Sequence, residues 1–269
     1  MSVPITYDFR STSQMEWQGT SHGNPFKLII GESGSLQADI AFLERLNKEQ
    51  DVKALSLRRQ SPMDNDAALI TELDKLILPI MDSQNDYGYE MPFYELSMAP
   101  QSEFPVNVFE SSGQVLRSSL SHVTERNIKG NLPYLARTLS YIHARVSHVV
   151  DISNPGVSIL YYPKNRGLGW HDDDFPETDI KPDDPYYRCR TILYSPDEKG
   201  TCFALSAKES ESTLYPGRYN YNVEEAGITG RGISIFEQGP QCRIVHRANP
   251  ENGSYTITFR RPLAAPSNP

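Results

Sequence analysis

Residues 167–174 read Gly167-Leu168-Gly169-Trp170-His171-Asp172-Asp173-Asp174, and they follow an apolar, aromatic run at 157–162. Side chains two residues apart on an extended chain point to the same face, so His171 and Asp173 can converge on one ion. His246 lies far downstream in another strand-like run and offers a third ligand. Two histidines and one carboxylate on one face of an octahedral ion leave three positions open, which is typical of non-heme Fe(II) sites.

The sequence after Asn154 is built from short runs rich in β-branched and aromatic residues, separated by turn residues. Six such runs occur, at 157–162, 190–194, 200–205, 232–236, 242–246 and 254–260. Short strands at this spacing predict a sandwich or barrel. We therefore expect an α+β protein whose core, residues 154–269, is a jelly-roll-like double-stranded β-helix. Residues 206–230 are a polar, tyrosine-bearing insertion, which fits either a substrate lid or a packed surface hairpin.

The N-terminal half predicts helices that support this core. Apolar residues recur at threes and fours over 66–82, with Asp64 or Asn65 as the N-cap and Pro79 ending or kinking the helix. The same period at 131–150 predicts a second helix. Residues 87–117 carry prolines among aromatics and suggest loops and short strands, whereas residues 1–60 give a weak signal. We expect residues 1–153 to pack on the core, with one compact domain overall.

The charge balance argues against a nucleic-acid partner. The chain has 269 residues with 26 Lys+Arg against 34 Asp+Glu, a net charge of −8 and a pI near 5.3. No global positive field therefore recruits a polyanion. Residues 1–10 show no signal peptide, and no apolar run approaches the roughly 20 residues of a membrane span. Cys189, Cys202 and Cys242 lack the spacing of a disulfide framework or a zinc site, so we expect a cytoplasmic protein.

Residues 154–262 resemble the catalytic core of the AlkB-like Fe(II)/2-oxoglutarate dioxygenases. The resemblance rests on Tyr161-Tyr162-Pro163, the glycine-containing turn with the His-x-Asp pair, the run 230–239 before the distal histidine, and Thr258-Phe259-Arg260. It implies that Fe(II) is held by His171, Asp173 and His246. It also implies a 2-oxoglutarate pocket to which Tyr162, Thr256 and Arg260 contribute. O2 would take the last position on the iron, and 2-oxoglutarate would become succinate and CO2 as a substrate is oxidised.

Two positions depart from the family pattern. The family's closing strand begins with an arginine that binds the far carboxylate of 2-oxoglutarate, and Ser254 stands there instead. Arg260 shares a strand face with positions 254, 256 and 258, so it can still grip a carboxylate bidentately. Whether Arg188 or Arg190 supplies a second cation stays open. Phe175 replaces the acid with which nucleic-acid repair members read a damaged base, which disfavours base demethylation.

These observations predict an Fe(II)/2-oxoglutarate-dependent oxygenase that hydroxylates or desaturates a small-molecule substrate. Two other hypotheses remain open. One is an AlkB-type nucleic-acid demethylase or a protein hydroxylase, in which methylated oligonucleotide or peptide would stimulate succinate formation. The other is a non-catalytic β-barrel module that keeps a metal or a dicarboxylate as a structural ligand, and such a module would not turn over 2-oxoglutarate.

Overall fold

The computed structural model of the chain describes residues 6–8, 10–13, 16–21, 24–60, 66–85, 94–98, 106–109, 115–118, 132–150, 157–164, 169–173, 188–198, 200–211, 213, 219–239, 242–248 and 253–263. The strands in these residues are β1 (Thr6–Asp8), β2 (Arg10–Ser13), β3 (Glu16–Ser21), β4 (Asn24–Glu32), β5 (Val52–Arg58), β6 (Tyr94–Met98), β7 (Val106–Phe109), β8 (Val115–Ser118), β9 (Val157–Tyr162), β10 (Cys189–Ser195), β11 (Thr201–Glu211), β12 (Tyr219–Ile228), β13 (Gly232–Gln238), β14 (His246–Ala248) and β15 (Ser254–Pro262). The helices are α1 (Leu36–Leu43), α2 (Arg45–Lys48), α3 (Asp66–Asn85) and α4 (Pro133–Val146).

Nine of these strands form one large sheet in the order β2-β3-β4-β5-β13-β10-β15-β9-β6. Its paired strands are antiparallel except β4 and β5, which run parallel because α1 and α2 connect them in a crossover. Strand β10, in the interior of this sheet, is buried throughout, and its Ile192 lies opposite Ile235 of β13 and Phe259 of β15. Glycine permits a close approach at the start of β13, because a Cβ at Gly232 would lie 2.1 Å from the Leu57 carbonyl oxygen.

A smaller sheet packs on one face of the large one. It contains β1, β11 and β12, with β14 paired to the start of β11 and an isolated bridge joining His171 to His246. From β9 onward the chain alternates between the sheets. Strands β9, β10, β13 and β15 belong to the large sheet, whereas the His171 bridge, β11, β12 and β14 belong to the small one. This alternation is the predicted double-stranded β-helix, so the α+β fold class is confirmed.

Two apolar cores separate the three layers of the protein. The core between the helices and the large sheet includes Leu43, Leu73, Leu135, Ile142 and Ile257. The core between the two sheets includes Leu193, Phe203, Leu205 and Phe236. Because alternate residues of a strand face opposite sides, β4, β5, β10 and β13 each contribute apolar residues to both cores.

The helical layer is joined by a capping contact between α3 and α4. Pro133 occupies the first turn of α4, where its missing N–H costs nothing. The carboxylate of Glu72, from α3, accepts the backbone N–H of Leu135 at 2.7 Å and that of Tyr134 at 3.2 Å. These bonds satisfy N–H groups that a helix leaves open at its N-terminus.

Several predicted boundaries are wrong. Helix α3 runs on to Asn85 and does not end at Pro79, because Leu76 and Ile77 hold that turn in the core. Residues 242–245 are not a strand; β14 instead begins at His246, after a turn bridged at Gly239 carries the chain between the sheets. Residues 206–211 and 219–228 belong to β11 and β12, which pair as an antiparallel hairpin, and the role of this hairpin as a substrate lid stays a prediction. The proposed caps Asp64 and Asn65 lie outside the described residues.

The N-terminal half contributes strands to the same large sheet. Strands β4 and β5 arise from the region with a weak sequence signal, and β5 is buried along most of its length. In the sequence, a buried strand is a short apolar run without alternating polar residues. Periodicity alone does not distinguish such a run from a segment of a buried helix. The division of the chain at residue 153 stays a prediction. None of the helices in the described residues is long and apolar enough to cross a membrane.

Candidate metal centre

His171 and His246 lie directly opposite each other in the small sheet. The backbone N–H of His171 donates to the His246 carbonyl oxygen at 3.1 Å, and the His246 N–H donates back to the His171 carbonyl oxygen at 2.8 Å. This reciprocal pair fixes the register of the two segments. Both imidazoles therefore leave the sheet together, with ring centroids 4.5 Å apart.

Asp173 completes the group. One of its carboxylate oxygens lies 3.5 Å from His171 Nε2, and the other lies 3.7 Å from His246 Nε2. One ligand atom from each of the three residues lies within 4.8 Å of the other two. This separation is small enough for one ion to contact all three. The structure thus brings together the three residues that the sequence predicts as metal ligands.

Backbone carbonyl groups orient both imidazoles. His171 Nδ1 lies 2.8 Å from the Gly169 carbonyl oxygen, and His246 Nδ1 lies 3.0 Å from the Ile244 carbonyl oxygen. Because a carbonyl oxygen only accepts hydrogen bonds, each Nδ1 carries the proton and each Nε2 keeps its lone pair. Metal-binding histidines are commonly held in this way. Both lone pairs are therefore available on the side where Asp173 lies.

Aromatic rings enclose the inner side of the centre. His246 is buried, and its ring centroid lies 4.7 Å from that of Phe236 and 6.3 Å from that of Phe203. The residues next to the two histidines are also in contact, with the Arg247 guanidinium 4.5 Å from the Trp170 ring centroid. An apolar wall of this kind lowers the local polarity and restricts the entry of water to a bound ion.

Asp172 lies between two of the candidate ligands but is directed at the hairpin formed by β11 and β12. The Tyr221 hydroxyl donates to its Oδ2, and Arg243 Nε lies 3.8 Å from the same oxygen. Burial raises the pKa of Asp172, although Tyr221 and Arg243 both act to lower it. Arg243 also lies 3.6 Å from Glu209, whose pKa burial raises to about 7. Two carboxylates thus share one guanidinium beside the metal centre.

Neutral polar side chains occur on the face of the large sheet that looks towards the small sheet. The Thr191 hydroxyl donates to Gln238 Oε1 at 2.6 Å. Within the described part of the chain, three buried atoms on this face lack a hydrogen-bond partner, namely Gln238 Nε2, Ser254 Oγ and Thr258 Oγ1. A buried polar group without a partner costs free energy, and a polar ligand can remove that cost.

The predicted 2-oxoglutarate residues lie on the same face as far as the structure describes them. Thr256 is buried on β15 and looks towards the small sheet, since its neighbours Tyr255 and Ile257 lie in the helix-side core. Tyr162 is buried on β9, opposite Ser254. Arg260 pairs with Thr191 through the backbone of β15, but its side chain lies outside the described atoms. The roles of these residues stay predictions.

Arg190 does not supply a second cation to this face. Its guanidinium donates to the carbonyl oxygens of Leu46 at 3.0 Å and Val149 at 2.7 Å, and to Asn47 at 2.7 Å and Glu237 at 2.9 Å. All four partners lie on the helix side of the large sheet, because Arg190 alternates with Thr191 along β10. Arg188 is exposed before β10. Phe175 lies outside the described residues.

Three residues near the centre are not predicted from the sequence, namely Glu209, Gln238 and Arg243. Each becomes informative through a contact with a residue far away in the chain. Arg243 precedes His246 by only three positions, but residues 242–245 are irregular, so strand alternation does not assign its direction. The tyrosines of the insertion do carry a signal, and Tyr221 is indeed in contact with the His-x-Asp segment.

Comparison with known proteins gives similarities of fold. No family model matches the chain, and no curated protein matches it. Among solved structures, a Trichoplax adhaerens prolyl hydroxylase in complex with a hypoxia inducible factor peptide fragment has a TM-score of 0.41 at 11% identity, covering 84% of this chain and 90% of that chain. A full-length Neurospora crassa protein, solved in complex with alpha-KG, has a TM-score of 0.40 at 13% identity, covering 87% of this chain and 84% of that one. AviO1 from Streptomyces viridochromogenes Tue57 has a TM-score of 0.39 at 16% identity, covering 88% of this chain and 100% of that one.

Identities this low concern the fold alone. The strand order described above and the convergence of His171, Asp173 and His246 confirm the predicted double-stranded β-helix and its His-Asp-His triad, whereas the closer resemblance to AlkB-like dioxygenases stays a prediction.

Proposed function

We propose that the protein is an Fe(II)- and 2-oxoglutarate-dependent oxygenase that hydroxylates or desaturates a small molecule. The observation that carries this proposal is the convergence of two imidazole Nε2 atoms and one carboxylate at the edge of a double-stranded β-helix. Two histidines and one carboxylate, with no further protein ligand among the described residues, correspond to the three-residue ligand set of non-heme iron oxygenases.

The donor set fits a divalent iron ion. Imidazole nitrogens suit iron, zinc and copper, whereas the carboxylate adds charge and favours a hard, divalent ion. The Gly169 and Ile244 carbonyl groups keep the proton on each Nδ1, so binding requires no tautomer change at either histidine. Phe236 and Phe203 exclude water from the buried side. His171, Asp173 and His246 would therefore hold the ion.

The inner face of the large sheet fits a small dicarboxylate. Gln238 Nε2 is a donor, and the Ser254 and Thr258 hydroxyls can donate as well; within the described residues, these groups have no partner. Thr256 and Tyr162 add buried hydroxyl groups on the neighbouring strands. Arg260 lies two residues after Thr258 on the same face of β15, and it is the predicted cation for a carboxylate. Together these groups would position 2-oxoglutarate against the metal.

The bound iron and 2-oxoglutarate supply the oxidising power, by reduction of O2 coupled to decarboxylation. The protein has three tasks around them. The triad fixes the ion and leaves its remaining positions free, the inner face orients the co-substrate, and the phenylalanines keep water away from the reacting atoms.

A small-molecule substrate is favoured over nucleic acid by charge. The net charge of the chain is −8, and the described charged side chains next to the triad are Asp172 and Glu209 together with Arg243 and Arg247. A nucleic-acid strand needs a basic path to its reacting base, because phosphate contacts supply much of the affinity. The mixed, mostly buried charges beside this triad do not form such a path.

The proposal is tested by reconstituting the purified protein with Fe(II), 2-oxoglutarate, ascorbate and O2. We expect succinate to form slowly without substrate, and faster when a matching metabolite is added from a screened panel. His246→Ala should abolish succinate formation. His143→Ala, which changes an exposed histidine of α4, is the matched control and should retain it. Stimulation by methylated oligonucleotide or by peptide would support the other enzyme classes, whereas wild-type protein without any turnover would contradict the proposal.

A further inference from the structure

The hairpin of β11 and β12 extends beyond the metal centre. Phe203 of β11 pairs with His246 of β14, and the strand then continues to Glu211. Residues 206–211 and 219–225 therefore extend past the triad as two paired strands, which we call the arm, and β1 pairs with residues 206–208 of the arm as a third strand. Within the arm, Glu209 lies opposite Tyr221 and Glu211 lies opposite Tyr219. Residues 209 and 211 share a strand face with Ala207, which belongs to the core between the sheets.

The arm contacts both segments that supply the metal ligands. The Tyr221 hydroxyl donates to Asp172, which is flanked on either side by ligands His171 and Asp173. Asp172 has a side chain only 13% exposed, so water does not readily replace this bond. The segment before His246 is reached through Arg243, whose Nη1 lies 3.6 Å from Glu209.

Arg243 links these contacts to each other. Its guanidinium lies 3.8 Å from Asp172, 3.6 Å from Glu209 and 4.6 Å from the Tyr219 ring centroid. The group therefore touches the arm on one side and the His-x-Asp segment on the other. Arg243 has a side chain only 6% exposed, so these attractions are poorly screened by solvent.

The position of Asp172 makes its contacts mechanically important. A side chain between two ligands shares its backbone with both, so displacement of Asp172 changes the direction of His171 and Asp173 together. Partners outside the ligand set commonly orient metal ligands in this way, and their loss weakens metal binding about 10- to 100-fold. Tyr221 acts one step further out than such a partner, because it bonds Asp172 and reaches the ligands through the backbone that Asp172 shares with His171 and Asp173.

We propose that docking of the arm and binding of the metal are coupled through the Tyr221–Asp172 hydrogen bond, with Arg243 as a second positioning residue. The metal is held tightly when the arm is docked, and a substrate that holds the arm down prepares the metal centre for reaction. This inference rests on the proposed function for the identity of the metal. It goes beyond it by assigning the arm a regulatory role at the same site.

Thermodynamic reciprocity makes the coupling measurable without turnover. If a docked arm strengthens metal binding by some factor, metal binding must favour the docked arm by the same factor. Amide hydrogen exchange reports local opening of this kind. In the wild-type protein, Fe2+ added under nitrogen should therefore slow the exchange of amides in residues 219–225.

The decisive variant is Tyr221→Phe, which removes one hydroxyl and keeps the ring. We expect its Fe2+ dissociation constant, measured by anaerobic calorimetry, to rise about tenfold. The slowing of exchange in residues 219–225 by Fe2+ should be largely lost. Tyr219→Phe is the matched control on the same strand, because it keeps the ring that contacts Arg243, and it should bind Fe2+ as the wild type does. Circular dichroism and thermal unfolding of the metal-free proteins establish that all variants are folded.

A double-mutant cycle separates coupling from general destabilisation. In an Asp172→Ala background, Tyr221→Phe should have no further effect on Fe2+ affinity, since its partner is already absent. Equal effects of Tyr221→Phe with and without Asp172 would overturn the inference. The inference would also be overturned if Tyr221→Phe bound Fe2+ with unchanged affinity. It would be overturned as well if Fe2+ did not change the rate of amide hydrogen exchange in residues 219–225 of the wild-type protein. Either result would leave the proposed function intact. Failure of the wild-type protein to bind Fe2+ would overturn both.

Discussion

The two faces of the large sheet bury polar groups in different ways. On the helix side, buried charges are paired, Arg190 with Glu237 at 2.9 Å and Arg59 with Asp66 at 3.1 Å, even though individual N–H groups of both arginines have no partner in the part of the chain that the structure describes. On the side facing the small sheet, the buried groups that lack partners in the described residues are neutral amides and hydroxyls. The same strands carry both sets, because their residues alternate between the faces.

This difference suggests that the buried polar groups on the helix side contribute to stability, whereas those on the inner face contribute to ligand binding. A paired buried charge favours one arrangement of helices and strands. Its removal leaves the partner charge buried without an opposite charge, which is strongly destabilising. A neutral group without a partner costs less, and a ligand that bonds to it removes the cost. We therefore expect substitutions on the helix side to change unfolding free energy, and substitutions on the inner face or in the triad to change ligand binding.

The largest effect should come from the triad itself. His171→Ala, Asp173→Ala and His246→Ala each remove one of three ligands, so Fe2+ affinity should fall by more than about 100-fold. Unfolding free energy of the metal-free protein should change little, because the histidines are joined through backbone hydrogen bonds that alanine retains. Calorimetry and chemical denaturation measure the two quantities. Near-normal iron content in any one variant would remove that residue from the ligand set.

The comparison is sharpest at two adjacent residues of β15. Ile257 is fully buried in the helix-side core, so Ile257→Ala should lower the unfolding free energy by about 2–5 kcal/mol. It should leave 2-oxoglutarate affinity unchanged in the protein that remains folded.

Thr258→Val is the opposite case on the same strand. It removes a buried hydroxyl that has no partner among the described residues, so unfolding free energy should stay the same or rise. The dissociation constant for 2-oxoglutarate should rise severalfold. If Thr258→Val destabilises the protein while 2-oxoglutarate binds normally, the inner face is not the co-substrate site.

Arginine variants on the two faces extend the same contrast. Arg260→Lys should raise the KM for 2-oxoglutarate about tenfold, because a point charge replaces a bidentate fork and a charged hydrogen bond contributes about 1.5–3 kcal/mol. Arg190→Lys is the control, since its guanidinium bonds only to helix-side groups. It should lower unfolding free energy and leave KM unchanged. A normal KM in Arg260→Lys would mean that the carboxylate is held by the neutral groups alone.

The last effect concerns the pH dependence of stability and lies in the small sheet. Burial raises the pKa of Glu209 to about 7 from an ordinary value of 4.5, so the folded protein binds this proton more tightly than the unfolded chain does. The contribution of Glu209 to the unfolding free energy should therefore be largest below its ordinary pKa and should be lost as pH rises through about 7.

Glu209→Gln removes that titration. Relative to the wild type, the variant should gain stability between pH 5 and pH 8, on the order of 2 kcal/mol. Urea denaturation of both proteins at the two pH values measures it, and contributions from other groups cancel in the difference. Parallel pH profiles for the two proteins would show that Glu209 does not carry the buried proton.

The parts of the fold that were predictable have a local cause. Strand runs at 157–162, 190–194, 232–236 and 254–260 were recognised because branched and aromatic residues repeat between turns. The candidate ligands were predicted because the His-x-Asp pair follows one strand-like run, and His246 and then Arg260 lie on later ones. Strands β4 and β5 were missed, since buried strands lack alternation. The irregular turn at 239–245 was missed because it depends on how the chain crosses from one sheet to the other.

The sequence by itself determined the chemistry that the protein has available, namely two histidines, one carboxylate and a series of alternating strands, because ligand type and strand period are properties of neighbouring residues. Only the tertiary structure decided that Arg190 faces the helices, that Gln238 faces the small sheet, and that Tyr221 and Arg243 meet at Asp172. Those outcomes depend on sheet register and on the packing of two layers. Both are set by contacts between residues tens of positions apart, which no local pattern records.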